Sequence, residues 1–219
     1  MPGRLFFFSC AVRRNPTAAA GTTAAVTFFP FAASDLSHDE QMRIDTSFHI
    51  HTALLQLSFV TDPSLAGRAD ASLSRRPGHV LIALAPRPDW SSPSRQQWLN
   101  DALAEQLRIQ AKDILPGRLA LFARQFNLRY RRVTIKRMHT RWGSCSATGN
   151  INLSLWLLLT PAHLVDYVIK HELAHLNEMN HGPRFWTELD RMTTGRAKEL
   201  ERELKDFARQ LFAERGPFA

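Results

Sequence analysis

The chain has 219 residues, 44% of them apolar, and carries 28 Lys and Arg against 20 Asp and Glu, for a formal charge of +8. That is enough to bury a core in one domain, or in one domain with a small lobe, and the basic balance favours anionic partners. Apolar runs as short as residues 155–159 do not span a bilayer and two cysteines, Cys10 and Cys145, make no disulfide framework, so a membrane protein and a stapled secreted scaffold are set aside and the cytoplasm is the expected compartment.

Residues 1–41 stand apart, rich in Ala, Thr and Phe, with Asp35 the first acid. The apolar stretch 6–12 is too short for a signal-peptide core and runs at once into Arg13, Arg14 and Pro16. This segment is expected to be a leader without fixed structure, or to precede a true start at Met42. Residues 42–93 are expected to form a small β-rich N-terminal lobe. Its strands are placed at 44–61 and 79–85, with turns at Pro63, Gly67 and Pro77-Gly78.

The remainder, 94–219, reads as one domain. Ser94 can cap a helix over 95–115, where Leu99, Leu103, Leu107 and Ile114 recur at helical spacing; Pro116-Gly117 is expected to break it before a shorter helix at 119–126. A strand follows at 132–138, with Val133 and Ile135 on one face. A turn at 145–150 then leads to a strand at 151–155 that closes a hairpin. Between 118 and 141 lie eight basic residues and no acid. They read as a solvated face, with weak nucleic-acid contact through Arg129, Arg131, Arg132, Lys136 and Arg137 as the alternative.

Thr160-Pro161 opens the next helix, expected over 161–179. Val165, Ile169, Leu173 and Leu176 form its apolar stripe, and Asp166 and Lys170 are one turn apart and can pair. This buried helix carries His171-Glu172-Leu173-Ala174-His175. Residues four apart share a face with Cβ atoms about 5–6 Å apart, so both imidazoles can reach one zinc ion at ~2.0–2.1 Å. Glu172 lies about 100° round the helix from His171, badly placed as a ligand and well placed to take a proton from zinc-bound water. A third ligand is needed. His181, past the helix end, has metzincin-like spacing, although Glu178 stands where that pattern has Gly; Glu188, Asp190 and Glu199 are the other candidates. Tyr167 falls one turn before His171 and is either a packed ring or a group that stands behind the ligands or donates to an oxyanion. A last helix is expected over 195–215, with Leu200, Leu204, Phe207 and Leu211 on its apolar face.

Four stretches together resemble the YgjP-like metallopeptidases, which are related to the SprT-like and WLM proteases. They are Thr-Arg-Trp-Gly-Ser-Cys-Ser at 140–146, Gly-Asn-Ile-Asn-Leu at 149–153, Tyr-Val-Ile-Lys-His-Glu-Leu-Ala-His at 167–175, and Asn-His-Gly-Pro-Arg-Phe-Trp at 180–186. The resemblance covers roughly 78–205. It implies an α+β, zincin-like domain in which the HExxH helix packs on a small antiparallel sheet. It also implies one zinc per chain on His171, His175 and His181, with Glu172 as general base, and a segment 141–146 that packs over the site. Arg141 and His139 join Tyr167 as candidates beside the ligands. Without the resemblance, 141–146 is a structural turn with Trp142 anchoring the core, Gly143 supplying an unusual backbone angle, and Cys145 a quiet thiol or an extra ligand. The expected activity is cleavage of a peptide or protein substrate. The alternatives are a nucleic-acid-associated protease and a zinc-stabilised binding module without turnover.

Overall fold

The computed structural model describes residues 22–26 and 43–215, apart from 87, 139 and 140. The expected leader, save one short strand, and His139 therefore lie outside the described residues.

The N-terminal lobe is a five-stranded sheet of β1 (Thr22–Val26), β2 (His49–His51), β3 (Gln56–Thr61), β4 (Ala71–Arg76) and β5 (His79–Leu84), in the order β1-β4-β5-β3-β2. All neighbours are antiparallel except β3 and β5. The single strand expected over 44–61 is two, because Thr52 folds the chain back: its N–H donates to the Leu55 carbonyl at 2.9 Å and its hydroxyl accepts from the Leu55 N–H at 3.0 Å. Strand β4 was not foreseen. It joins β5 through a tight turn in which Gly78 takes φ +74°, open to glycine at no steric cost. Ile50, Leu57, Phe59, Val80, Ile82 and Leu84 alternate inward and are buried.

Helix α1 (Pro93–Gln125) packs across that face. It begins after Ser92 rather than Ser94, and it does not break at Pro116. Leu103, Leu107, Ala111, Leu115, Leu119 and Phe122 form one buried stripe through the proline. The carbonyl of Lys112, deprived of its usual donor by Pro116, belongs to an exposed residue, so water can satisfy it. Burial of the second half against residues 155–159 and the next helix outweighs the local cost. Two glutamines of α1 hold the lobe by its backbone. Gln96 accepts from the Ile44 N–H at 2.8 Å and donates to the Ile44 and Trp90 carbonyls at 2.7 and 2.9 Å, and Gln110 accepts from Gly78 N–H at 2.8 Å while donating to the Arg76 carbonyl at 3.1 Å.

The second sheet, β6 (Arg132–Lys136), β7 (Gly143–Cys145) and β8 (Asn150–Ser154), has the order β6-β8-β7. The hairpin expected between 132–138 and 151–155 is instead made by β7 and β8 around Gly149, at φ +74°; β6 lies on the other side of β8 and runs parallel to it. After a buried 3-10 turn at Leu155–Leu159 come α2 (Ala162–Ala174), α3 (Pro183–Thr193) and α4 (Ala197–Arg215). Helix α2 starts later and stops earlier than expected. Pro161 is its cap residue, while Thr160 is buried and turns its hydroxyl to the Leu157 carbonyl. Asp166 pairs not with Lys170 but bidentately with Arg118 of α1, and Lys170 lies 4.8 Å over the Phe122 ring. The architecture is thus α+β, with the HExxH helix packed on β7 and β8. Among the described residues no helix is long and apolar enough to cross a membrane.

Candidate metal centre

Helix α2 is buried on nearly every side, and its last turn presents His171 and His175. The chain then leaves the helix without a left-handed residue: the N–H groups of Asn177 and Glu178 both return to the Ala174 carbonyl at 3.1 Å. That tight exit is how Glu178 replaces the glycine of the metzincin-type turn. It also aims the Glu178 carbonyl at His175, whose Nδ1–H donates to it at 3.0 Å, leaving Nε2 as the outward nitrogen. His181 returns from the connection to α3, and its Nε2 stands 3.1 Å from Nε2 of His171.

The candidate nitrogens of His171, His175 and His181 all lie within 4.8 Å of one another. Among the described residues this is the one such cluster of metal-binding side chains. Nitrogens held by one tetrahedral zinc at ~2.0–2.1 Å stand about 3.3 Å apart, so the His171–His181 spacing fits an ion. The donor set fits as well. Burial first, then the neighbouring imidazoles, pushes His171 down to about 3, and burial lowers His175 against the pull of the Glu178 carbonyl. Both are neutral near pH 7, the form that binds metal. Glu188, Asp190 and Glu199 are engaged elsewhere, with Asn177 and Arg191, the Ala197 N–H, and Arg196 respectively.

Glu172 points to the sheet side of α2. It is 5% exposed, and its Oε2 finds no hydrogen-bond partner among the described residues. Burial pushes its carboxyl up to about 8, opposed by the charge of the exposed Arg141. Strand β7 makes room for it. A Cβ built on Gly143 would lie 2.6 Å from Oε1 and 2.7 Å from Cγ of Glu172. Gly143 is therefore required by close approach and not by an unusual backbone angle, since among the described residues the positive-φ glycines are Gly67, Gly78, Gly149 and Gly195. Cys145 is outside the histidine cluster, and burial, then the Glu172 charge, pushes its thiol up to about 11, so it is protonated near pH 7 and a poor ligand.

Tyr167 is 3% exposed, edge-on to His171 with ring centroids 6.0 Å apart, and its hydroxyl has no partner among the described residues. It stands against His171, sealed from solvent. Of the basic residues, Arg129, Arg131, Arg132, Lys136 and Arg137 are all exposed, and Arg137 also lies 3.7 Å from Asp101 and over the Trp156 ring. Two residues received no role from the sequence beyond their place in a motif. Phe185 is fully buried with its ring 4.6–4.9 Å from all three imidazoles, and the Trp186 indole N–H donates to the His181 carbonyl at 3.1 Å.

Comparison with known proteins identifies a family. The family described as YgjP-like, metallopeptidase domain, matches residues 81–207. Two solved structures are similar over part of the chain. The metallopeptidase zymogen of Pyrococcus abyssi abylysin is 25% identical, covering 42% of this chain and 91% of its own, with a TM-score of 0.38. The metallopeptidase zymogen of Methanocaldococcus jannaschii jannalysin is 23% identical, covering 42% and 95%, also at 0.38. No curated protein matches the chain.

Proposed function

The chain belongs to the YgjP-like metallopeptidases, and on that premise we propose that it is a zinc-dependent peptidase in which His171, His175 and His181 hold one ion and Glu172 is the general base. The observation that carries this reading is the convergence of three imidazoles beside a buried carboxylate with an unpartnered oxygen. A closed structural site takes four protein ligands; among the described residues the cluster offers three, which leaves a position for the reaction. A structural site also has no use for Glu172.

The chemistry that an ion held there supplies is Lewis acidity, which polarises a carbonyl and acidifies water. A cation held by the imidazoles would favour the ionised form of Glu172 against its burial, and that carboxylate accepts the proton of the attacking water and returns it to the leaving amine. Its burial on α2 and the close cover of Gly143 hold that oxygen in one place. Strand β7 is an edge of its sheet, so an extended peptide can pair with it and lay its backbone beside Gly143, next to Glu172. A peptide or protein is the substrate class that suits this edge.

The test compares metal content and turnover of a denatured protein substrate in the native chain and in Glu172→Gln. Both are expected to hold about one zinc per chain, while turnover in the variant falls about 10²–10⁴-fold. Full activity in the variant would sink the mechanism, and absence of zinc from both would sink the metal assignment.

A further inference from the structure

His171 and His175 are fixed by a buried helix, but His181 sits in an exposed connection, and the ligand least held by its own element limits how firmly a three-histidine site keeps its ion. We propose that Trp186 is the positioning residue for His181, a latch that clamps the third ligand by its main chain. The inference rests on the metal reading of the site above.

Three contacts carry it. The indole Nε1–H donates to the His181 carbonyl at 3.1 Å, closing the turn between His181 and the first turn of α3. The indole ring stands edge-on to Phe185 with centroids 5.4 Å apart, and Phe185 is the fully buried floor on which all three imidazoles rest. From outside, Lys198 of α4 places its Nζ 3.0 Å from the ring centroid and also donates to Glu201 at 3.2 Å. Trp186 is thus pinned on one side by α4 and on the other by the floor of the site, and its single polar atom is used on the residue that supplies the exposed ligand. The device parallels the one at His175, where the Glu178 carbonyl orients the ring directly. At His181 the hydrogen bond acts one step back, through the backbone.

A group that orients a ligand from behind typically changes metal affinity by about 10–100-fold when removed. The experiment measures zinc affinity and the zinc dissociation rate by competition with a chromophoric chelator, using the full chain, for the native protein, Trp186→Phe and His181→Ala, with thermal unfolding of each metal-free form alongside. Trp186→Phe is expected to bind zinc about tenfold more weakly, through faster dissociation, with the metal-free unfolding temperature little changed. His181→Ala is expected to lose more. Replacement of Trp186 by 3-benzothienylalanine, which keeps the bicyclic ring and deletes only the N–H, is expected to reproduce the loss and serves also if the Phe variant does not fold. Affinity within about twofold of native in the benzothienyl form overturns the latch. So does a loss in Trp186→Phe that this form does not share, because the ring and not the hydrogen bond would then be responsible. A native chain that takes up no zinc overturns the metal reading and the latch with it, whereas native zinc binding matched by the Trp186 variants overturns the latch alone.

Discussion

A methyl group at position 143 would meet Glu172 at 2.6–2.8 Å along the outer half of its side chain, and a carboxylate only 5% exposed has little room to retreat. Gly143→Ala is therefore expected to shift the Glu172 carboxylate while leaving the three imidazoles, which are not among the atoms nearest that methyl, as they are. Because misplacement of a reacting group by about 1 Å costs about 10²-fold, the expected outcome is a loss of that order in kcat with zinc affinity unchanged. Steady-state kinetics beside a zinc titration check it; a parallel loss of zinc would mean that β7 supports the whole site and not the base. This residue marks where reading the chain stops. His171, Glu172 and His175 are legible because one helix fixes their mutual directions. The partner of Gly143 belongs to a different element, and nothing local in Arg-Trp-Gly-Ser-Cys says that the glycine exists to clear a glutamate. The same holds for Phe185, whose apolar character is plain but whose neighbours, three imidazoles, are not.

Among elements, the misread ones are those that tertiary contacts sustain. Pro116 is a sound local argument for a helix end, yet the stripe from Leu103 to Phe122 is buried on both sides of it, and α1 goes through. Strand β4, Ala-Ser-Leu-Ser-Arg-Arg, lacks the β-branched and aromatic residues that announce a strand and is held by its pairing with β1 and β5. The parallel pairing of β6 with β8 depends on which neighbour β8 takes, which alternation cannot specify. Helix α1 also joins the two parts of the chain through side chains that look like ordinary surface glutamines. Gln110 is 1% exposed and bonds the backbone on both sides of the β4–β5 turn. Gln110→Ala removes two hydrogen bonds, each worth about 0.5–1.5 kcal/mol net, and is expected to cost about 1–3 kcal/mol in a urea titration. The backbone amide of Gly78 should lose protection in hydrogen exchange. Zinc affinity should not change, since both these hydrogen bonds go to the lobe; a fall in affinity would show that the lobe and the centre are coupled through α1.

For the molecule as a whole, the apolar core is continuous. One cluster of buried residues joins Ile44, Leu57 and Phe59 of the lobe, Leu99 to Leu119 of α1, Ile151 and Leu153 of the second sheet, and Leu164 to Leu173 of α2, and it reaches Phe185 and Leu200. The metal centre rests directly on that core through Phe185, so zinc should stabilise the entire fold and not a local loop. A ligand that binds only the native state adds about 2.7 kcal/mol when its free concentration is 100 times Kd. For a chain of this size each kcal/mol moves Tm by about 2–4 °C, so saturating zinc is expected to raise Tm by about 5–10 °C. Calorimetry of the chelator-treated and the reloaded chain should show one transition that moves as a unit. His175→Ala should abolish the increment, while Glu172→Gln, which leaves the three imidazoles in place, should keep it. Two transitions of which zinc moves only the upper would show that the lobe melts independently of the catalytic part. The Gln96 and Gln110 tethers would then be holding the lobe in position without sharing in its stability.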